Sequence, residues 1–126
     1  MHVLLLEPDK LQARSYIAAL QRAGHDVMHV TTAQSAVHGA DEQKPDVVIV
    51  ELQLAGHNGV EFLYEFRSYS EWLNVPIIVH TFVPEHELMQ AVTLQRELGV
   101  KQVLYKPATS LATLCAAVQT LASVAV

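Results

Sequence analysis

Residues 47–63 read Val47-Val48-Ile49-Val50-Glu51-Leu52-Gln53-Leu54-Ala55-Gly56-His57-Asn58-Gly59-Val60-Glu61-Phe62-Leu63. Four consecutive β-branched aliphatics with no polar residue among them describe a strand buried on both faces, since alternation appears only where one face meets water. Such strands belong to parallel sheets covered by helices on both sides. The run stops at a carboxylate, Glu51. After the turn-forming pair Asn58-Gly59 the spacing becomes helical, with Val60, Leu63 and Phe66 sharing one side. Strand, acid, turn and helix in this order make one unit of an α/β protein.

Working outward, the unit recurs. Residues 3–6, 27–30, 77–79 and 102–105 are the other apolar runs. Between them, Ala13, Ile17 and Leu20, widened by Tyr16 and Ala23, precede Gly24, which is placed to end a helix. A second helix over Ala33–Glu42 has the weakest pattern. Leu88, Ala91, Leu94 and Leu98 precede Gly99, and Leu111, Leu114, Val118 and Leu121 close the chain at spacings of three and four. Pro45 and Pro76 stand just before strands, where a missing N–H costs little. Five alternations without a linker predict a single domain over residues 1–126, with one parallel sheet between two helical layers.

Composition narrows the function. A chain of 126 residues buries roughly two-thirds of its unfolded surface and needs no staple. The uncharged tail, residues 108–126, is broken by Thr109, Ser110, Thr113, Gln119, Thr120 and Ser123 and reads as a half-buried helix rather than a membrane span. Its apolar end, residues 121–126, suits a docking helix or a chain that continues. The N-terminus has no basic flank or small-residue cleavage site, and a lone Cys115 permits no intrachain disulfide, so the expected location is the cytoplasm. A net charge of −5 argues against direct nucleic-acid binding. Seven histidines, at 2, 25, 29, 38, 57, 80 and 86, show no zinc spacing with Cys115. His57 beside Glu51 and His80 beside Thr81 read as an exposed loop residue and a packed strand-end residue. Phe62, Phe66 and Tyr69, with Trp72 just beyond, read as core.

In an open parallel sheet, chemistry gathers at the carboxyl ends of the strands. Those ends supply Glu7, Pro8 and Asp9, then Glu51, then His80-Thr81, then Lys106-Pro107. Lys and Glu are seldom buried unless paired, so a lysine converging on carboxylates reads as placed rather than accidental.

Here the sequence resembles a known family. Residues 47–63 are similar to the receiver-domain signature of two-component response regulators, which runs aliphatic strand, Asp, Leu, any residue, Leu, Pro, Gly, any residue, Asp, Gly, amphipathic helix. Residues 76–81 resemble the family's strand ending in Thr or Ser, and Val103-Leu104-Tyr105-Lys106-Pro107 resembles its Lys-Pro segment. With the acid after the first strand, four matches in order cover nearly the whole chain. The resemblance implies a flavodoxin-like, doubly wound (βα)5 three-layer sandwich, with strand order 2-1-3-4-5. It also implies a role in phosphorelay signal transduction. In the family, two acids after strand 1 and the strand 3 Asp hold Mg²⁺. That Asp takes a phosphoryl group from a histidine kinase, and the hydroxyl and lysine bind its oxygens.

Carried over, these positions are Glu7, Thr81 and Lys106, with two departures: Glu51 stands for the Asp and Pro8 for the second acid. Asp9 falls one place late. Glu7, Glu51 and the Gln53 carbonyl remain as weak metal candidates, so no cofactor is expected and Mg²⁺ is disfavoured. The extra methylene of Glu51 moves its oxygens by roughly 1.3–1.5 Å, and phosphoryl transfer rests on positioning. The resemblance therefore implies a pseudo-receiver without enzymatic activity. It would act through a protein partner such as a histidine kinase or an output or effector domain, docked on the last strand and its flanking helices.

Two readings of the site stand open: a permanent Glu51–Lys106 ion pair fixing one signalling state, or a decayed site with Lys106 solvated. Glu7 would raise the pKa of Glu51 and Lys106 would lower it. The family's switching aromatic is Val103 here, and Tyr105, on the same face, reads as packing. Residues 99–102 lack the acids of a common dimer mode, so a homodimer would have to form by another face. Two rival functions remain. One is a working Mg²⁺-dependent phosphoacceptor using Glu51 or Asp9. The other is a small-ligand sensor, for which Glu7-Pro8-Asp9-Lys10 lacks a flavin, dinucleotide or cobalamin loop.

Overall fold

The computed structural model describes residues 1–87 and 91–124. Five parallel strands form the central sheet: β1 (His2–Leu6), β2 (Asp26–Val30), β3 (Val47–Val50), β6 (Ile77–Thr81) and β7 (Val100–Tyr105). A separate two-stranded hairpin, β4 (Gln53–Leu54) and β5 (His57–Asn58), lies between β3 and the next helix. The sheet order is β2-β1-β3-β6-β7, which is 2-1-3-4-5 when only the sheet's own strands are counted. Leu4 sits in register with Met28 on one side and Val48 on the other.

The helices are α1 (Lys10–Arg22), α2 (Ala33–Glu42), α3 (Gly59–Arg67), α4 (Ala91–Arg96) and α5 (Leu111–Val124). Their packing explains the unbroken aliphatic runs. Leu4, Leu6, Val48 and Val50 face a core shared with Phe62, Phe66 and Leu94, whereas Val3, Leu5, Val47 and Ile49 face Ala13, Leu20, Leu114 and Val118. Side chains alternate across a strand, so a sheet clad on both faces needs apolar residues at every position. Trp72 stacks on Phe66 at 4.8 Å and completes the first core.

Four details differ from the sequence reading. The tight turn after Glu51 is Ala55-Gly56, with Gly56 at φ +70°, and not Asn58-Gly59. Asn58 instead caps α3, its side chain accepting from Val60 N at 2.8 Å. Gly59 is required by a close approach, because a Cβ there would lie 2.6 Å from Leu52 Cα and 2.9 Å from Glu51 O. Ala23, Tyr69 and Leu111 are exposed, because each stands at or just beyond the end of a helix. Leu88 lies outside the described residues, as do Ala125 and Val126; the described part of the region around Leu88 is a short 3₁₀ turn, Glu85–Glu87, and α4. Among the described residues no helix is long and apolar enough to cross a membrane.

Candidate functional site

Parallel strands all end at one edge, so the residues following β1, β3, β6 and β7 meet there. The ladder itself fixes their backbones: Glu7 N donates to Val30 O at 3.0 Å, and Glu51 N donates to Leu6 O at 3.0 Å. Glu7, Glu51, Thr81 and Lys106 are all buried. Lys106 opens a 3₁₀ turn, Lys106–Ala108, whose Pro107 directs the chain away toward α5. Its ammonium donates to Glu7 Oε1 at 2.5 Å and to Glu51 Oε1 at 2.9 Å.

Each carboxylate is also tied by its neighbours. Glu7 Oε2 accepts from Asp9 N at 3.0 Å, while the Glu7 carbonyl meets His29 Nε2 at 2.8 Å. Glu51 Oε2 accepts from Gln53 N at 3.1 Å, and Glu51 Oε1 also accepts from Phe82 N at 3.2 Å. Glu51 thus ties together three segments: the β4–β5 hairpin, the chain after β6 and the turn after β7. The Phe82 ring lies 4.8 Å from Lys106 Nζ, with the Tyr16 ring at 6.0 Å. Phe82 is 43% exposed while Lys106 is 8% exposed, so the ring roofs the ammonium on that side.

The electrostatics follow from this geometry. Burial would raise the Glu51 pKa, but hydrogen bonds from Lys106, Thr81 and Gln53 outweigh it and hold the carboxyl below its usual 4.5. Burial would likewise lower the Lys106 pKa, but Glu51 and Glu7 raise it above 10.5. Near neutral pH Lys106 and Glu51 therefore both stay charged. His80 packs edge-on against Tyr16, with ring centroids at 4.9 Å, and burial pushes its pKa down to about 4. Burial also raises the Tyr16 hydroxyl above its usual 10.0.

The remaining candidates fall outside this cluster. Asp9 is exposed, and its carboxylate caps α1 by accepting from Leu11 N at 2.9 Å and Gln12 N at 3.1 Å. Pro8 is half-buried and brings no side-chain oxygen. Gln53 is exposed and enters only through its N–H. Val103 packs against the α3-side core, and Tyr105 is half-buried. The His57 side chain lies outside what the structure describes. Among the described residues no three His, Cys, Asp or Glu side chains gather as a metal ligand set. Phe82 and Tyr16 are the site residues that sequence reasoning missed. An aromatic directly after the strand-end Thr81 was the available signal for Phe82. Tyr16 looked like helix packing.

A family profile for the response regulator receiver domain matches residues 3–119. The chain belongs to the response regulator receiver family. This receiver is 33% identical over 78 residues to the KDP operon transcriptional regulatory protein KdpE of Escherichia coli (strain K12), a match covering 62% of this chain and 33% of that protein. It is 25% identical over 79 residues to protein PilH of Pseudomonas aeruginosa, covering 63% and 65% respectively. The match thus spans about a third of the first relative and under two-thirds of the second. The fold is shared with a sensor protein from Polaromonas sp. JS666, with a TM-score of 0.86 at 22% identity over 95% of this chain and 94% of that one. It is shared too with the Vibrio cholerae chemotaxis protein CheY4, with a TM-score of 0.83 at 22% identity over 95% and 97%.

Proposed function

We propose that this receiver is a non-enzymatic pseudo-receiver: it takes up no phosphoryl group and signals as a fixed protein-docking module. The observation that carries the reading is the buried triad, in which one ammonium is hydrogen-bonded to both Glu7 and Glu51. In the family resemblance Glu51 stands at the phosphoacceptor aspartate. Its longer side chain brings Oε1 onto Lys106 and onto Phe82 N–H together, supplying negative charge where a phosphoryl oxygen would otherwise go. The burial of Lys106, 8% exposed, supports the ion-paired reading over one with a solvated lysine.

The residues do not fit Mg²⁺. Both carboxylates are already engaged by the ammonium, Pro8 has no side-chain oxygen to offer, and the Asp9 carboxylate faces the first turn of α1. A divalent cation would have to displace Lys106 or sit beside a like charge in a poorly screened site. No phosphotransfer step is therefore assigned.

Receivers meet histidine kinases and effector domains, and a partner of that kind is proposed here. By family resemblance its docking face is β7 with α4 and α5. Incubation with acetyl phosphate and Mg²⁺, followed by intact-mass measurement, tests the reading. The expected result is an unmodified chain, and a phosphoryl group mapped to Glu51 overturns it.

A further inference from the structure

Away from the triad, α2, α3 and the β4–β5 turn enclose an open groove of about 530 Å³. Its floor is apolar: Ala33, Val37 and Leu54 are half-buried and rest on the core, and Phe62 also lines it. Its α3 wall carries Glu61 and Glu65, both exposed and one helical turn apart. Like charges four residues apart destabilise a helix by a few tenths of a kcal/mol. Among the described residues neither carboxylate has an ion-pair or hydrogen-bond partner, and none of the chain's eight lysines and arginines lines the groove. An apolar floor beside a negative rail, with Thr31, Thr32, Gln34, His38 and Asn58 also lining the groove, matches a segment with an aliphatic face and basic flanks.

We propose that the α2–α3 groove docks a basic amphipathic helix from a partner protein, its aliphatic side chains on Val37 and Leu54 and its Arg or Lys side chains on Glu61 and Glu65. Helix-in-groove recognition uses this division of labour, with apolar anchors giving affinity and rim charges giving orientation and rate. A second copy of this chain is a poor occupant, because its own net charge is −5. The inference rests on reading the chain as a docking module. The groove shares no residue with the triad, so phosphorylation of Glu51 would remove that reading without altering the groove.

The test uses ¹⁵N-labelled protein titrated with a synthetic amphipathic Leu/Arg helical peptide, and with its counterpart bearing Glu for Arg. Saturable amide shifts are expected at Thr32, Val37, Leu54, Glu61 and Glu65 with the basic peptide only. The double variant Glu61→Lys/Glu65→Lys should weaken binding about tenfold or more, a loss of about 1.4 kcal/mol. The control Glu71→Lys/Glu97→Lys, which makes the same change in net charge at exposed sites outside the groove, should leave it within about twofold. Equal weakening by both double variants, equal binding of the acidic peptide, shifts outside the groove, or no binding of the basic peptide at millimolar concentration each overturn the proposal.

Discussion

Lys106 carries more of this molecule than any other side chain. It is a cation taken out of water and held by two anions that are equally buried. Such a group adds little net stability compared with an apolar substitute, yet removing it strands its partners. Lys106→Ala leaves the Glu7 and Glu51 carboxylates facing each other without a counter-charge. A destabilisation on the order of 3–5 kcal/mol is expected, read as a fall in the urea midpoint at unchanged m-value. Glu51→Gln combined with Lys106→Ala should cost less than the two single losses added, because the pair is coupled. Additive losses would mean the contact has no energetic weight. The sequence made Glu7, Glu51, Thr81 and Lys106 legible, since strand-end positions in a parallel sheet can be counted off. It could not show that one ammonium is shared by both acids, nor that Phe82 roofs it, because these depend on distances of a few ångströms between segments far apart in the chain.

At the scale of elements, the strands and most helices were legible because burial on two faces or on one leaves a periodic trace. The β4–β5 hairpin was not, since two-residue strands are too short to show a period. Its role explains Gly59. The start of α3 packs against the backbone of Leu52 and Glu51, where even a methyl group would lie 2.6 Å from Leu52 Cα. Gly59→Ala must therefore push α3 away from the loop that carries Glu51. It should cost about 1–3 kcal/mol by overpacking and disturb the Gln53 N–H bond to Glu51. Thermal unfolding together with the Gln53 amide shift checks this. An unshifted melting temperature would show that the approach is not tight.

For the molecule as a whole, buried ionisable groups set the response to acid. His80 is held neutral in the folded state to about pH 4, against an ordinary value of 6.5, so the unfolded chain takes up this proton first. Stability from this group is present above pH 6.5 and is lost as pH falls toward 4, a change on the order of 3 kcal/mol. His25, lowered chiefly by burial, acts in the same direction. Glu51, held below 4.5, adds its loss only below that value. The urea midpoint should fall from pH 7 to pH 4.5 in the wild type, and by less in His80→Leu. An identical fall in both would exclude His80 as the source.

In the proposed pseudo-receiver, the Lys106 ammonium occupies the site where magnesium and phosphoryl chemistry would have to take place. Titrating ¹⁵N-labelled protein with Mg²⁺ and beryllofluoride puts it to the test. No saturable change is expected at the amides of Glu51, Gln53, Phe82 and Lys106. Saturable shifts at those amides, lost in Glu51→Ala, would contradict it.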